Sequence, residues 1–473
     1  MARPPKAEHE HQMRSTQSLS YQELPGHPGR REPFRWTAPR NPRCFRAYGQ
    51  TQGKVGIGTV CVLLLLCTIP AQALELWSDP ETGRHILLNT TLKLTGLAAR
   101  NPDDRVLFPE RRSATALART RFDLDLKLSD SVNAELAYEH RARRETHAGG
   151  ASIGGALTPF APAPWRMTSL DWSLAHSEDR FAWRHEIDRA LVSVHPDWGR
   201  VTAGRQAIGF GRGVLFSAVD VFAPFSPVEV DREWRRGVDA LRVEYRTTPL
   251  SAIEVVGVFG DRWRHSALLG RFSGYVGDVD GELIVGKRAR DAMLAATLSA
   301  AVGGAAVHGE AALFRTPEDQ PDGGLFGRDD LVGKAVLGAS YTFNVGNGLT
   351  LVAEYHYSGF GVTDMANALR RFRDPVFTER YQRGDSQILG RHALAGQLSY
   401  PIGDVVTGTL LLLQSPSDGS GLASPGLLWT PTQTTTITVN AFAPWGAQPR
   451  RGKLRSEYGT SPWSLYSQAS VYF

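Results

Sequence analysis

From residue 74 onward, apolar and polar residues alternate in segments of about ten, the period of a strand with two unlike faces. The clearest segment is 119–128. Arg119, Arg121, Asp123, Asp125 and Lys127 fall on one side, and Thr120, Phe122, Leu124, Leu126 and Leu128 on the other. Leu241, Val243 and Tyr245 oppose Arg242, Glu244 and Arg246 in the same way. Ala335, Leu337, Ala339, Tyr341 and Phe343 oppose Lys334, Ser340 and Thr342, and Leu351, Ala353, Tyr355 and Tyr357 oppose Thr350, Glu354 and His356. Weaker runs follow the same rule at 86–94, 132–139, 394–400 and 436–441. The last strand reads Trp463, Leu465, Ser467, Ala469, Val471 and Phe473 on one face, and Ser464, Tyr466, Gln468, Ser470 and Tyr472 on the other.

Turn residues sort the connections into two kinds. Ser129-Asp130, Pro196–Gly199, Asn344–Gly348, Pro401–Asp404 and Pro431–Gln433 are short turns, while 144–180, 207–237, 316–332, 359–390 and 446–462 are long gaps. Short turns on one rim and long loops on the other suit a membrane barrel. Any single strand would also suit a soluble sandwich with its apolar face on a core. Two features favour lipid outside and water inside. Arg, Asp and Glu crowd the polar faces, and paired aromatics close apolar faces where an interfacial girdle belongs. At about 22 residues per strand and connection, the chain after residue 73 holds 16–18 strands. The expected fold is therefore all-β: one antiparallel transmembrane β-barrel over 74–473, with an inward-folded loop. A closed barrel must pair its last strand with its first, because an open edge in hydrocarbon leaves backbone groups unsatisfied.

Charge and cysteine content change the picture only at the front of the chain. Residues 1–73 hold 10 Lys and Arg against 4 Asp and Glu, whereas the remainder holds 43 against 44. The basic balance belongs to the leader and gives no reason to invoke nucleic acid. Residues 1–53 are rich in Pro, Arg, His and Gln without apolar period, and read as a disordered leader or an over-extended start. Lys54, an apolar run to Ile69 and Ala71-Gln72-Ala73 make 54–73 a secretory signal peptide, with cleavage expected after Ala73. Cys44, Cys61 and Cys67 all precede that cut, so the mature chain has no disulfide framework, cysteine nucleophile or cysteine-ligated metal.

One region breaks the alternation. Gly209, Gly211 and Gly213 cannot build a regular strand interior, and suit close backbone approach or positive φ. Pro224 and Pro227 hold an extended path, and Asp231, Arg232, Glu233, Arg235, Arg236 and Asp239 form a mixed charge cluster. Gly204-Arg205-Gln206, the glycine-rich turn, Asp220-Val-Phe-Ala-Pro-Phe-Ser-Pro227 and Asp231-Arg-Glu-Trp-Arg-Arg-Gly-Val-Asp239 resemble a proteobacterial outer-membrane porin-like family related to alginate-export-type barrels. Tyr355–Gly361, Asp418–Leu422, Ser456–Gly459 and the ending Tyr472-Phe473 continue the resemblance. It implies a segment folded into the lumen and a narrowed pore, with Arg205, Arg212, Asp231, Arg232, Arg235 and Arg236 as candidate constriction residues. The same residues could equally brace the wall. The resemblance also implies that Tyr472 and Phe473 are read by the barrel assembly machinery.

Searches for other chemistry fail on spacing. Gly209–Gly213 lacks the dinucleotide pattern, His185-Glu186 lacks a second histidine, and Gly270–Gly274 is not a nucleophile elbow. His308, His356 and His392 read as lumenal or surface residues rather than metal ligands. The expected function is a channel without cofactor, set in outer-membrane lipid, for passive passage of small hydrophilic solutes, anionic ones included, or of an exported polysaccharide. A barrel hydrolase and a structural or adhesive surface barrel are the alternatives.

Overall fold

The computed structural model describes residues 73–146, 156–157, 164–177, 180–320 and 322–473. The expected disordered leader and nearly all of the signal peptide lie outside these. Among the described residues twenty strands follow one another. They begin with β1 (Leu74–Asp79), β2 (Arg84–Arg100), β3 (Arg112–Ser129), β4 (Val132–Glu145), β5 (Asp171–Ser177), β6 (Phe181–Val194) and β7 (Gly199–Gln206). Next come β8 (Val238–Thr248), β9 (Ser251–Phe259), β10 (Ala267–Val276), β11 (Val279–Arg288), β12 (Asp291–Val302), β13 (Ala305–Arg315) and β14 (Leu331–Phe343). The last six are β15 (Leu349–Ser358), β16 (His392–Pro401), β17 (Val406–Gln414), β18 (Gly421–Thr432), β19 (Thr435–Trp445) and β20 (Trp463–Tyr472). Two short helices, α1 (Met365–Arg371) and α2 (Pro375–Gln382), lie between β15 and β16.

Every pairing between these strands is antiparallel, and β20 returns to β2 with Thr91↔Tyr472 through Arg100↔Trp463 in register. The sheet is thereby closed. Eighteen strands make the circumference, because β1 and β5 only lengthen their neighbours' columns. β1 pairs with Arg84–Leu88 on the edge of β2 that β20 uses higher up. At the junction Phe473 N–H donates to the Thr90 carbonyl at 2.8 Å, and Thr90 N–H donates to the Phe473 carbonyl at 3.0 Å. The chain end is thus stitched into the wall, as closure requires. β5 does the same for β6 beyond the end of β7. Neither short strand was expected: each has six or seven residues, too few to establish a period.

The outer surface is apolar. Leu241, Ile253, Leu268, Leu283, Leu298, Leu337, Leu394, Leu412 and Leu465 are all exposed and point away from the lumen. Aromatics flank this band. Trp198, Tyr245, Tyr275, Tyr341 and Trp429 stand near the short-turn rim, and Trp183, Tyr355, Trp445 and Trp463 near the long-loop rim. An apolar belt between two aromatic girdles is the outer face of a membrane barrel. No helix among the described residues is long and apolar enough to cross a membrane.

Candidate functional site

The segment 207–237 leaves β7, runs into the lumen and returns to β8. Its first half is apolar and packs against an apolar sector of the inner wall. Ile208, Phe210, Leu215, Phe216, Val219, Val221 and Phe222 are buried with Val256, Val258, Leu269, Ile284, Met293, Phe314 and Val336. This sector is dry, whereas the sequence suggested charge and water along all inner faces.

The glycine-rich turn wraps two wall carboxylates. Glu310 of β13 accepts from the backbone N–H groups of Arg212, Gly213 (2.7 Å), Ala218 (2.6 Å) and Val219 (3.3 Å), and from the Ser217 hydroxyl at 2.8 Å. Glu354 of β15 accepts from the N–H groups of Val214 (2.5 Å), Leu215 (3.0 Å) and Phe216 (2.8 Å), and its Oε1 lies 3.0 Å from His308 Nε2. A chain that bends this tightly has no room for side chains. A Cβ on Gly213 would sit 1.9 Å from the Phe216 carbonyl oxygen, and one on Gly211 2.3 Å from Ser217 Oγ. The glycines serve close approach; none of the three has a positive φ.

The second half grips the opposite wall. Asp231 receives Lys93 Nζ at 2.7 Å and Arg119 at 3.3 Å. The Trp234 ring lies beneath Lys93, Arg119 and Arg121, at 4.0, 4.7 and 4.9 Å from its centroid. Behind them Glu139, Glu186 and Asp188 knit Arg119, Arg121, Arg141, Arg166 and Arg189 into one buried web. β13 and β3 stand nine strands apart around a circumference of eighteen. The segment therefore crosses the barrel from wall to wall.

Five of the six candidate residues belong to this crossing. Arg212 pairs with Asp280 and Glu282, both at 2.6 Å, and keeps 28% of its side chain exposed. Arg235 holds Asp220 at 2.7 Å and the Ala223 carbonyl at 3.0 Å. Arg232 donates to four carbonyls, those of Val214, Ser226, Pro227 and Glu229. It fastens the segment to itself, as does Arg235, while Asp231 fastens it to the wall. Arg236 lines the cleft described below. Arg205 is placed elsewhere. Its parity is that of lipid-facing Leu241, and it binds Asp239 at 2.7 Å and the carbonyls of Thr168 and Ile187 at 2.7 and 3.0 Å. It seals the wall above β7, where the returning segment before β5 passes.

Sequence reasoning missed the anchors themselves: Glu310, Glu354, Trp234 and the Lys93–Arg119–Arg121 row. Strand parity already turned the carboxylates inward, but nothing local tells which inward charge meets a loop. A second inward segment was also missed. Residues 359–391 carry α1 and α2 into the long-loop mouth, where buried Asp385 meets Arg288 at 2.6 Å, Arg383 at 2.7 Å and Arg380 at 3.2 Å. Asp364 and Asp374 cap the two helices by accepting from Ala366 and Val376 N–H. Arg288 also donates to the Val221 carbonyl at 2.9 Å, locking the two segments together.

Above the crossing lies a cleft of about 630 Å³ between the two inward segments and the loops after β2 and β19. Its walls include Phe108, Phe372, Tyr381, Leu454, Arg236 and Glu457. Glu457 accepts from the N–H groups of Leu389 (2.8 Å) and Gly390, tying the last long loop to the 359–391 segment. Burial pushes its carboxyl up to about 7, against those two donors, with nearby Asp418 adding to the rise.

One side of the lumen escapes this ion pairing. β16 to β20 contain no Asp, Glu, Lys or Arg. Their inward side chains include Gln397, Ser399, Thr409, Thr438 and Asn440, each only partly buried. Groups that face away from lipid and still keep exposure border open lumen.

The fold is the one seen in bacterial outer-membrane channels. OccAB1 of Acinetobacter baumannii is similar with a TM-score of 0.50 at 8% identity, over 82% of this chain and 96% of that one. OccAB4 of the same organism matches at 0.48 and 10% identity, over 86% and 100% of the two chains. OccD3 (OpdP) of Pseudomonas aeruginosa matches at 0.44 and 9%, over 86% and 94%. No family model and no curated protein matches the chain. A closed barrel of this kind, apolar outside and girdled at both rims, resides in the bacterial outer membrane.

Proposed function

We propose that the protein is a passive outer-membrane channel for small hydrophilic solutes. The observation that carries this is the crossing itself. The 207–237 segment reaches from β13 and β15 to β2 and β3, and leaves the hydroxyl- and amide-lined sector of β16–β19 partly exposed. It narrows the lumen and is held rigidly by wall charges. Arg242, Glu254, Arg271, Glu282 and Arg212 form a charged row joined in series at 2.6–3.0 Å, on the β8–β11 wall against which the apolar half of the segment packs. A solute on the β16–β19 side of the segment would pass along the neutral hydrogen-bonding face, and one on the other side along the charged row. The neutral face supports uncharged, hydroxyl-rich solutes, and the exposed part of Arg212 supports acceptance of anions. An exported polysaccharide is the alternative cargo, from the resemblance to alginate-export-type barrels.

The test is the current carried by purified protein in a planar bilayer, combined with swelling of proteoliposomes in neutral sugars of increasing size. Steady unitary current and a sharp size limit are expected. Arg212→Gln should lower anion preference measured as reversal potential in a salt gradient. Absence of current from folded, inserted barrel would overturn the channel reading.

A further inference from the structure

A second site lies on the outside of the barrel. Arg100 ends β2 on the outward face, with Trp463 of β20 as its partner on one side and Arg112 of β3 on the other. All three stand at the long-loop rim. Two adjoining recesses share Arg100 and Arg111. One, of about 510 Å³, also has Trp445, Trp463 and Gln448 in its wall, and the other, of about 400 Å³, has Arg112 and Glu110. Trp445 and Trp463 are 43% and 57% exposed.

The charge here is unusual for this surface. Other cations at the same rim are answered by protein: Arg315 by Asp330 at 3.2 Å, and Lys287 by the Trp263 carbonyl at 2.9 Å. Arg111 has an exposed ion pair with Asp103 at 2.8 Å, of the kind worth little in water. Among the described residues, Arg100 and Arg112 have no hydrogen-bond or ion-pair partner, although Glu110 lines the same recess. Two guanidinium groups on neighbouring strands, about 5 Å apart in the sheet, repel each other at the membrane interface. An anion at the same depth would relieve that repulsion.

We propose that this face binds the phosphorylated headgroup of an outer-leaflet glycolipid. The long loops mark the rim that faces outward from the cell. There the anions at interface depth are lipid phosphates, which guanidinium groups bind in bidentate fashion. The two exposed tryptophans supply the apolar face against which the lipid's sugar and upper acyl chains pack. The site is separate from the lumen and does not depend on what the channel carries.

The experiment compares the wild-type barrel with Arg100→Gln/Arg112→Gln and Arg100→Lys/Arg112→Lys, each folded in detergent. Native mass spectrometry reads adducts with bisphosphorylated lipid A, its dephosphorylated form and inorganic phosphate. Wild type should favour the bisphosphorylated lipid over the dephosphorylated one by roughly tenfold or more, the ratio that a single charge-assisted hydrogen bond confers. The Gln pair should abolish that preference, the Lys pair should keep part of it, and bilayer conductance should not change. Equal adducts with both lipids, or a preference that survives in the Gln pair, would overturn the proposal. So would inorganic phosphate that displaces the lipid at equal concentration, or oligomers of this chain whose loss follows the same substitutions.

Discussion

Removing the two carboxylates that hold the crossing segment should widen the pore. In Glu310→Ala/Glu354→Ala, six backbone N–H groups and the Ser217 hydroxyl lose their acceptor, while Val219 N–H keeps Ser217 Oγ at 3.2 Å. Each buried donor left without a partner costs about 1–3 kcal/mol, so the docked state of residues 212–219 loses roughly 7–20 kcal/mol. Against this stands the apolar packing of Ile208, Phe210, Leu215, Phe216, Val219, Val221 and Phe222. At about 1.5–3 kcal/mol each, burial contributes roughly 10–20 kcal/mol, an upper bound. The two terms are comparable, so the tip should leave the wall while the Arg288–Val221 contact retains the rest. Single-channel recording should show larger and noisier unitary currents. The Gln pair separates charge from support. Each amide keeps one accepting oxygen, and the smaller loss should leave the segment docked, with conductance near wild type and anion preference raised. Wild-type conductance and noise in a folded Ala pair would refute the claim that these carboxylates hold the constriction.

Four further outcomes follow from the same geometry. Trp234→Ala removes a ring beneath three cations, each worth about 0.5–2 kcal/mol, and should lower the unfolding temperature read by heat-modifiable gel migration, whereas an unchanged midpoint would show the stack to be idle. Gly213→Ala forces a Cβ into the Phe216 carbonyl and should reproduce the noisy phenotype of the Ala pair; quiet wild-type current would count against the tight turn. Deleting Phe473 removes both bonds to Thr90 and should reduce the folded fraction reaching the outer membrane, measured by surface proteolysis; an unaffected yield would show that closure does not need them. Glu457, whose carboxyl rises from an ordinary 4.5 to about 7, should make the mouth pH-dependent. The folded state binds this proton more tightly than the unfolded chain, so the loop contact is strongest below about pH 4.5 and weakens by roughly 3 kcal/mol as pH rises to about 7. The protection factors of the Leu389 and Gly390 amides, after correction for the intrinsic pH dependence of exchange, should rise on acidification in wild type, with little change in Glu457→Gln.

The sequence carried the wall well because a strand states its two faces every second residue. The faces of β3, β8, β14, β15 and β20 follow the parity of Arg119–Leu128, Leu241–Arg246 and their like. It could also have carried the neutral sector, since five successive strands after His392 contain no charge. What parity cannot state is which inward residues meet water and which meet another segment. Val256, Leu269 and Ile284 alternate as correctly as Thr409 or Asn440, yet the first three form a dry core under the 207–237 segment. The same blindness put Arg205 in the lumen. Its chemistry is that of the loop arginines, but the register Arg205↔Asp239 turns it to the lipid side, where carbonyls from the segment before β5 absorb its charge. An arginine in such a barrel therefore speaks for selectivity only when its neighbours leave part of it exposed to the lumen, a condition that Arg212 meets with 28% and that Arg205, at 2%, does not.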